Sequence, residues 1–209
     1  MEEKKEMSTE EIKMDNDPKG EGKEKATSPL REVLSWVITL LAAFALAMVL
    51  KNYVIINATV PTGSMEHTIE PGDDLFGLRL AYQFSEPKRG DIVIFRFPDD
   101  ETQKYVKRVI GLPGDVIDLR DNGDEEDTIY SLYINGELVK EDYIKAPMDT
   151  KGNIEYPYTV PENSYFVMGD NRNASSDSRR KSVGAIPKEN LMGKVVFRLY
   201  PFSSIGFIK

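Results

Sequence analysis

The longest apolar stretch of the chain lies near its N-terminus. Residues Val33 to Leu50 form a run of 18 residues without a charge. At about 1.5 Å per residue the run is about 27 Å long, close to the hydrocarbon thickness of a bilayer of about 30 Å. Trp36 and Tyr53 flank it, where interfacial aromatic residues are expected. The pattern predicts one transmembrane helix over residues 30–52.

After this span the pattern changes to short β-branched segments bounded by Gly, Pro and Asn. Asn135-Gly136 between two apolar triplets is a strong hairpin signal. No amphipathic helix is predicted after residue 60. Many short strands with Gly and Pro turns are typical of a mostly β fold with antiparallel sheets. The predicted strands are residues 91–97, 105–110, 132–134, 137–139, 165–168 and 194–200.

The domain organisation follows from shifts in composition. Residues 1–29 are dominated by Glu, Lys, Asp and Ser, and this predicts a disordered tail. Residues 118–163 are more polar, with an acidic loop at 121–127, and we interpret them as a small inserted β subdomain. Residues 53–117 and 164–209 would then be the two parts of the main β domain.

Composition excludes several kinds of chemistry. The net charge of -8 argues against nucleic acid as a partner. The absence of cysteine, with His67 as the only histidine, excludes a cysteine nucleophile and a zinc site built from several Cys or His ligands. No glycine-rich phosphate loop is present, so the sequence predicts neither a metal nor a nucleotide cofactor.

The positive residues predict the orientation of the span. Seven Lys or Arg precede it, whereas Lys51 alone follows within the next 20 residues. Because cytoplasmic flanks carry the excess of Lys and Arg, the N-terminus should be cytoplasmic and the β domain outside. A cleaved signal peptide is the alternative, since Ala45-Leu46-Ala47 has the small-x-small form. That motif lies inside the apolar run, which favours an anchor.

Ser64, in the turn Pro61 to Met65, is a candidate nucleophile, and it would need a base. His67 is only three residues away and has no carboxylate obviously placed to orient it. Lys107 is the other candidate, although an unperturbed lysine is neutral in only about one molecule in 2,500 at pH 7. Burial lowers a lysine pKa by up to about 3 to 5 units. The alternative is that Lys107 is an ordinary charge at a strand edge.

Two further groups are candidates for supporting such a site. Thr62 lies two residues before Ser64, so in an extended chain both hydroxyls point the same way and Thr62 can donate to an oxyanion. The alternative is that Thr62 and Ser64 are plain turn residues. Ser175 or Ser178, in the polar loop after Gly169, could bond a nearby amine.

Four segments in this order resemble the bacterial type I signal peptidases, which are membrane-bound proteases with a serine nucleophile and a lysine base. They are residues 61–65 with Thr68-Ile69, residues 90–95, residues 107–115, and residues 169–172 with 175–179. The likeness extends over most of residues 30–201. His67 stands where proline is common, and Asn173-Ala174 replaces residues that are often acidic or amide. The short insertion resembles enzymes of Gram-positive bacteria.

The resemblance implies roles for named residues. Ser64 corresponds to the nucleophile, Lys107 to the general base, and Thr62 to the hydroxyl side of the oxyanion hole. Ser175 corresponds to the serine that hydrogen-bonds and orients the lysine. The remaining residues are the framework pairs Arg108 with Asp170 and Asp177 with Arg179, and the lining of small apolar substrate pockets, Val60, Ile69, Tyr105 and Val106.

The expected function is that of a membrane-anchored endopeptidase that removes signal peptides after Ala-x-Ala motifs. Its partners would be preprotein signal peptides and membrane lipid, and it would be a single-pass monomer of the plasma membrane. A self-cleaving serine–lysine protease of the repressor type would need a soluble DNA-binding half, which a tail and a span do not supply. A non-catalytic, membrane-anchored β module that binds secreted peptides is the alternative from another class.

Overall fold

The computed structural model describes residues 29–98, 100–123 and 128–208. Residues 1–28 of the predicted tail and residues 124–127 of the acidic loop lie outside the described residues. The chain divides into two compact units, and the boundary follows Ala43, inside the first helix.

The first helix, α1, spans Pro29–Val49 and is followed by a wider π-type turn at Leu50–Val54. Together they form a segment of 26 residues that is long and apolar enough to cross a membrane. No residue of α1 is buried, so its apolar side chains are not covered by protein. Such a helix is suited to lipid, as the sequence predicted.

The rest of the described chain is built from antiparallel strands in two sheets. The larger sheet has the order β1-β2-β11-β3-β4-β9-β10, with β12 paired to β11, and the smaller sheet has the order β7-β6-β5-β8. The strands are β1 Ile55–Thr59, β2 Asp74–Leu78, β3 Ile92–Phe97, β4 Asp100–Gly111, β5 Val116–Asp121, β6 Tyr130–Ile134, β7 Glu137–Leu138, β8 Tyr158–Thr159, β9 Ser164–Met168, β10 Ile186–Pro187, β11 Leu191–Tyr200 and β12 Gly206–Phe207.

Strand β3 shows why the larger sheet forms a core on both faces. Successive side chains of a strand point to opposite faces. Ile92 and Ile94 pack in one apolar cluster, whereas Val93 and Phe95 pack in another, and all four are buried. A strand without a polar face is therefore stable only at the centre of this sheet, between β11 and β4.

The smaller sheet packs against one end of the larger one. Leu119 and Leu132 of the smaller sheet share a buried cluster with Ile110 and Phe166 of the larger sheet. The β6–β7 hairpin turns at Asn135-Gly136, where both residues have positive φ, 53° and 85°. These values match the turn that Asn-Gly favours. The division into domains at residues 118 and 163 stays a prediction.

The predicted fold class, mostly antiparallel β with one apolar N-terminal helix, is confirmed. Every predicted strand is present, and β4 and β11 begin earlier than predicted. The sequence analysis missed β1, β2, β5, β8, β10 and β12, because strands of two to six residues without a long apolar run leave little local signal. It also missed one α-helical turn, α2 at Ala81–Phe84, which is too short to leave a periodic pattern.

Candidate active site

Ser64 lies on a short 3-10 turn, Gly63–Met65, between β1 and β2. The Met65 side chain is fully buried beneath the turn, and the Met65 carbonyl accepts the N–H groups of Thr68 and Ile69. These contacts fix the turn against the core. Ser64 is therefore held at the surface of the sheet with 8% of its area exposed.

Lys107 reaches this turn from the middle of β4. It pairs in register with Val93 of β3, which places it inside the larger sheet. Its Nζ lies 2.6 Å from Ser64 Oγ and donates to the Val106 carbonyl at 2.9 Å. Lys107 and Ser64 are 43 positions apart in the sequence, so this contact is long-range. Only 4% of Lys107 is exposed.

Burial changes the acid–base character of Lys107. Removal from water disfavours the charged amine and lowers the pKa of Lys107 to about 8, although the negative charges of Asp177 and Asp170 oppose the shift. At pH 7 about one lysine in ten is then neutral, compared with about one in 2,500 for a free lysine. A neutral amine at hydrogen-bond distance from a serine hydroxyl can accept its proton.

The loop after β9 holds the serine turn in place. The Asn171 backbone N–H donates to the Ser64 carbonyl at 3.1 Å. Its side-chain amide donates to the Gly63 carbonyl at 2.9 Å and to the Glu66 carboxylate at 3.0 Å. Gly169 leaves room for this approach, because a Cβ there would lie 2.4 Å from the Ser64 carbonyl oxygen. Asn171 lies in the segment 169–172 that the sequence analysis singled out, but no role was predicted for it.

The two framework pairs expected from the resemblance are formed, and both are buried. Arg108 binds Asp170 through two hydrogen bonds of 2.9 and 2.7 Å, and Asp170 also accepts the Thr68 hydroxyl. Arg179 binds Asp177 at 2.8 and 2.9 Å.

The charge states of these pairs follow from their contacts. Burial opposes ionisation of Asp177, but the hydrogen bonds and charge of Arg179 outweigh it and hold the pKa of Asp177 below its usual range. A buried carboxylate paired in this way needs its partner, since removing one charge leaves the other uncompensated.

A third buried pair joins the loop after β9 to the segment after β7, and the sequence analysis missed it. Arg172 donates to both carboxylate oxygens of Glu141, at 2.7 and 2.5 Å, and to the Gly169 carbonyl at 3.0 Å. Their side chains are 1% and 6% exposed. Glu141 lies 31 residues earlier in a polar stretch, where nothing local distinguishes it from a surface carboxylate.

The serine expected to orient the lysine does not bond it in this structure. Among the described residues, the buried Ser175 hydroxyl forms no hydrogen bond to Lys107; it lies beside Asp177 and helps to hold the pKa of that carboxyl low. The alternative, Ser178, accepts the Val167 backbone N–H at 2.9 Å. An orienting role for Ser175 therefore stays a prediction.

A cleft of about 670 Å³ opens beside the Ser64–Lys107 pair. It runs between residues 57–62 on one side and residues 103–107 of β4 on the other, with Ala174 and Ser176 at one end. Thr62 is exposed on its wall in extended conformation. The lining includes three of the four residues expected to form substrate pockets, Val60, Tyr105 and Val106.

Two other residues named in the sequence analysis lie outside the lining of this cleft. Ile69 is not among the residues that line this cleft, and its side chain is fully buried in the core. His67 is exposed, has a positive φ of 89°, and lines a different cavity with Tyr143 and Phe207. Nothing in the described part of the chain groups three His, Asp or Glu side chains in a way that could hold a metal ion.

A serine hydroxyl beside a buried amine at the wall of a cleft is the arrangement of a serine hydrolase. Residues 33–200 match the family described as signal peptidase, peptidase S26. The chain belongs to this family of serine peptidases.

Two relatives support the assignment over most of the chain. Signal peptidase I of Bacillus licheniformis is 36% identical over 189 residues, which cover 87% of this chain and 96% of that protein. Probable signal peptidase I-2 of a Synechocystis strain is 33% identical over 192 residues, which cover 89% of this chain and 82% of that protein. A signal peptidase I from Enterococcus faecalis with a known crystal structure is 32% identical in sequence. The match covers 53% of this chain and 97% of that chain, with a TM-score of 0.40.

Proposed function

We propose that this chain is a membrane-anchored signal peptidase I in which Ser64 is the nucleophile and Lys107 the general base. The observation that carries the proposal is the 2.6 Å contact between Lys107 Nζ and Ser64 Oγ in a site where Lys107 is 4% exposed. Neutral Lys107 takes the Ser64 proton as Oγ attacks the scissile carbonyl. The amine then returns a proton to the leaving amino group, and an acyl-enzyme forms on Ser64. Lys107 next activates water to release the acyl group.

The proposed oxyanion hole uses the Thr62 hydroxyl and the Ser64 backbone N–H. The Gly63 carbonyl and the Ser64 N–H belong to one planar trans peptide unit, so they point in opposite directions. The Asn171 amide holds that carbonyl at 2.9 Å. By fixing the carbonyl it fixes the direction of the Ser64 N–H, which makes Asn171 a positioning residue.

The substrate would lie in the cleft as an extended strand. Strand β1 is an edge of the larger sheet, and residues 103–107 of β4 pair only with β3 among the described residues, because β9 pairs from Arg108 onward. Both edges can therefore offer main-chain hydrogen bonds to a peptide. Side chains of Val60, Tyr105 and Val106 would leave room only for small residues at the -1 and -3 positions, which corresponds to Ala-x-Ala.

Cleavage of a preprotein by full-length protein in vesicles tests the mechanism, using wild type, Ser64→Ala and Lys107→Ala. Wild type should cleave after the small-x-small motif, and both variants should lose nearly all activity. A substrate with Ala replaced by Phe at -1 should not be cleaved. Activity that survives both substitutions would overturn the serine–lysine mechanism. A wild type that binds the preprotein without cutting it would favour a peptide-binding module.

The proposed topology has the N-terminus in the cytoplasm and the β domain outside, anchored in the plasma membrane by the helix at residues 29–54. Because the chain has no cysteine, single-cysteine reporters can be introduced without background. We expect a membrane-impermeant maleimide to label Ser204→Cys in intact spheroplasts and to label Ser8→Cys only after lysis. The opposite pattern would contradict the proposed orientation.

A further inference from the structure

A second cavity, of about 590 Å³, lies away from the candidate active site. Three cationic side chains line it, Arg79, Arg96 and Lys188, together with one carboxylate, Glu189. Tyr82 and Gln83 of α2 also contribute to its wall. A cationic cavity is notable in a chain whose net charge is -8.

The two arginines of this cavity are not paired with a carboxylate. Among the described residues, neither Arg79 nor Arg96 forms an ion pair. The Arg79 Nε atom is buried and has no hydrogen-bond partner. Lys188 is partly neutralised, because it pairs with Glu86, which does not line the cavity. Two guanidinium groups that line one cavity without a carboxylate partner favour a ligand with acceptor oxygens.

The position of the cavity indicates where that ligand comes from. The Arg79 backbone N–H donates to the Val54 carbonyl at 2.8 Å, and Val54 is the last residue of the apolar segment. Phe84, two residues after Tyr82, is 86% exposed and is suited to an acyl region. A residue that follows a membrane span directly lies in the headgroup layer, which is where lipid phosphates are.

We propose that this cavity binds the phosphate of an anionic phospholipid, with Arg79 and Arg96 as its main ligands. A guanidinium presents a planar set of donors that matches two phosphate oxygens, and it stays charged at any pH of interest. Lys188 adds attraction, and Glu189 opposes it. The proposal rests on the proposed membrane anchoring but not on the protease mechanism. A bound headgroup here would hold the β domain close to the bilayer where its substrates are tethered.

Native mass spectrometry of the full chain in neutral detergent micelles tests this site. Dihexanoyl phosphatidylglycerol is the probe, dihexanoyl phosphatidylcholine is the zwitterionic comparison, and inorganic phosphate is a competitor. We expect one saturable phosphatidylglycerol per chain. Arg79→Gln/Arg96→Gln should bind it about 25-fold more weakly, because each basic residue near a lipid surface contributes about five-fold. Since Arg79 is partly buried, Arg96→Gln alone is a second variant, and it should weaken binding about five-fold.

The matched control is Arg120→Gln/Arg180→Gln, which removes the same charge from arginines that do not line the cavity. It should bind phosphatidylglycerol as tightly as wild type. Equal weakening in this control would show a general charge effect and overturn the site. Unchanged binding in both cavity variants would do the same. Binding of inorganic phosphate as tightly as the lipid would overturn the lipid assignment in favour of a free-phosphate site. Preprotein cleavage is measured separately, so failure of either proposal is recognised by itself.

Discussion

The buried amine of Lys107 should make the folded protein less stable at neutral pH than at alkaline pH. The pKa of Lys107 is about 8 in the folded state, compared with 10.5 for a lysine that is not buried. Below pH 8 Lys107 is protonated in both the folded and the unfolded state. The folded state then bears the full free-energy cost of burying a charged amine. A difference of about 2.5 units at about 1.36 kcal/mol each amounts to about 3 kcal/mol. As the pH rises from 8 to 10.5 this destabilisation disappears, because Lys107 loses its proton in the folded state.

Lys107→Met removes this titration and keeps a side chain of similar length. The free energy of unfolding of wild type minus that of the variant should rise by about 1 kcal/mol between pH 7 and pH 9. Lost hydrogen bonds to Ser64 and Val106 change the offset between the two proteins but, to first order, not this slope. Other titrating groups, such as the buried tyrosines, are common to both proteins and cancel.

Chemical unfolding of full-length protein in neutral detergent, followed by far-UV circular dichroism of the β domain, measures the difference at each pH. Lys104→Met is the control, because Lys104 lies on the same strand but is exposed. Its difference from wild type should be flat over this range. If the Lys107→Met difference is equally flat, Lys107 has an ordinary pKa in the folded protein and is not a neutral base at pH 7.

Four kinetic outcomes follow from the same site. The value of kcat/KM should fall about tenfold per pH unit below pH 8, as Lys107 becomes protonated; a plateau down to pH 6 would contradict this. Thr62→Val should lower kcat by about a hundred- to a thousand-fold if the hydroxyl donates to the oxyanion, and unchanged turnover would refute that role. Asn171→Ala should lower kcat with little change in KM, whereas Asn173→Ala in the same loop should be near wild type; equal effects would indicate a general loop defect. Gly169→Ala should abolish activity, because the new Cβ would lie 2.4 Å from a backbone oxygen of the serine turn, and a fully active variant would show that the turn can shift freely.

The apolar helix and the central strands could be predicted because local pattern determines them. An uncharged run of 18 residues has few stable environments besides a bilayer. Residues 92–95 are all apolar, and the structure buries both faces of β3. The Asn135-Gly136 hairpin is equally local, since two positive φ values are required and these residues tolerate them. Short edge strands such as β1 and β12 left no comparable signal.

The candidate site could be named from the sequence only by resemblance, because its contacts are long-range. Taken alone, Ser64 was a turn residue and Lys107 a strand residue. The contribution of Asn171 depends on two carbonyl groups 108 and 107 positions away, Gly63 and Ser64. Glu141 was missed for the same reason, since its partner Arg172 is 31 residues later.

The sequence by itself determined the apolar helix, the strongly apolar strands such as β3, and the Asn135-Gly136 turn. Each of these depends on neighbouring residues and on the periodicity of the backbone. The tertiary structure alone decided the distance of 2.6 Å between Lys107 Nζ and Ser64 Oγ, and the burial that lowers the pKa of that lysine. It also left the Ser175 hydroxyl without a hydrogen bond to Lys107 and buried the Ile69 side chain in the core. The physical reason is that hydrogen-bond partners and access to water depend on which distant segments pack together, and local pattern does not contain that information.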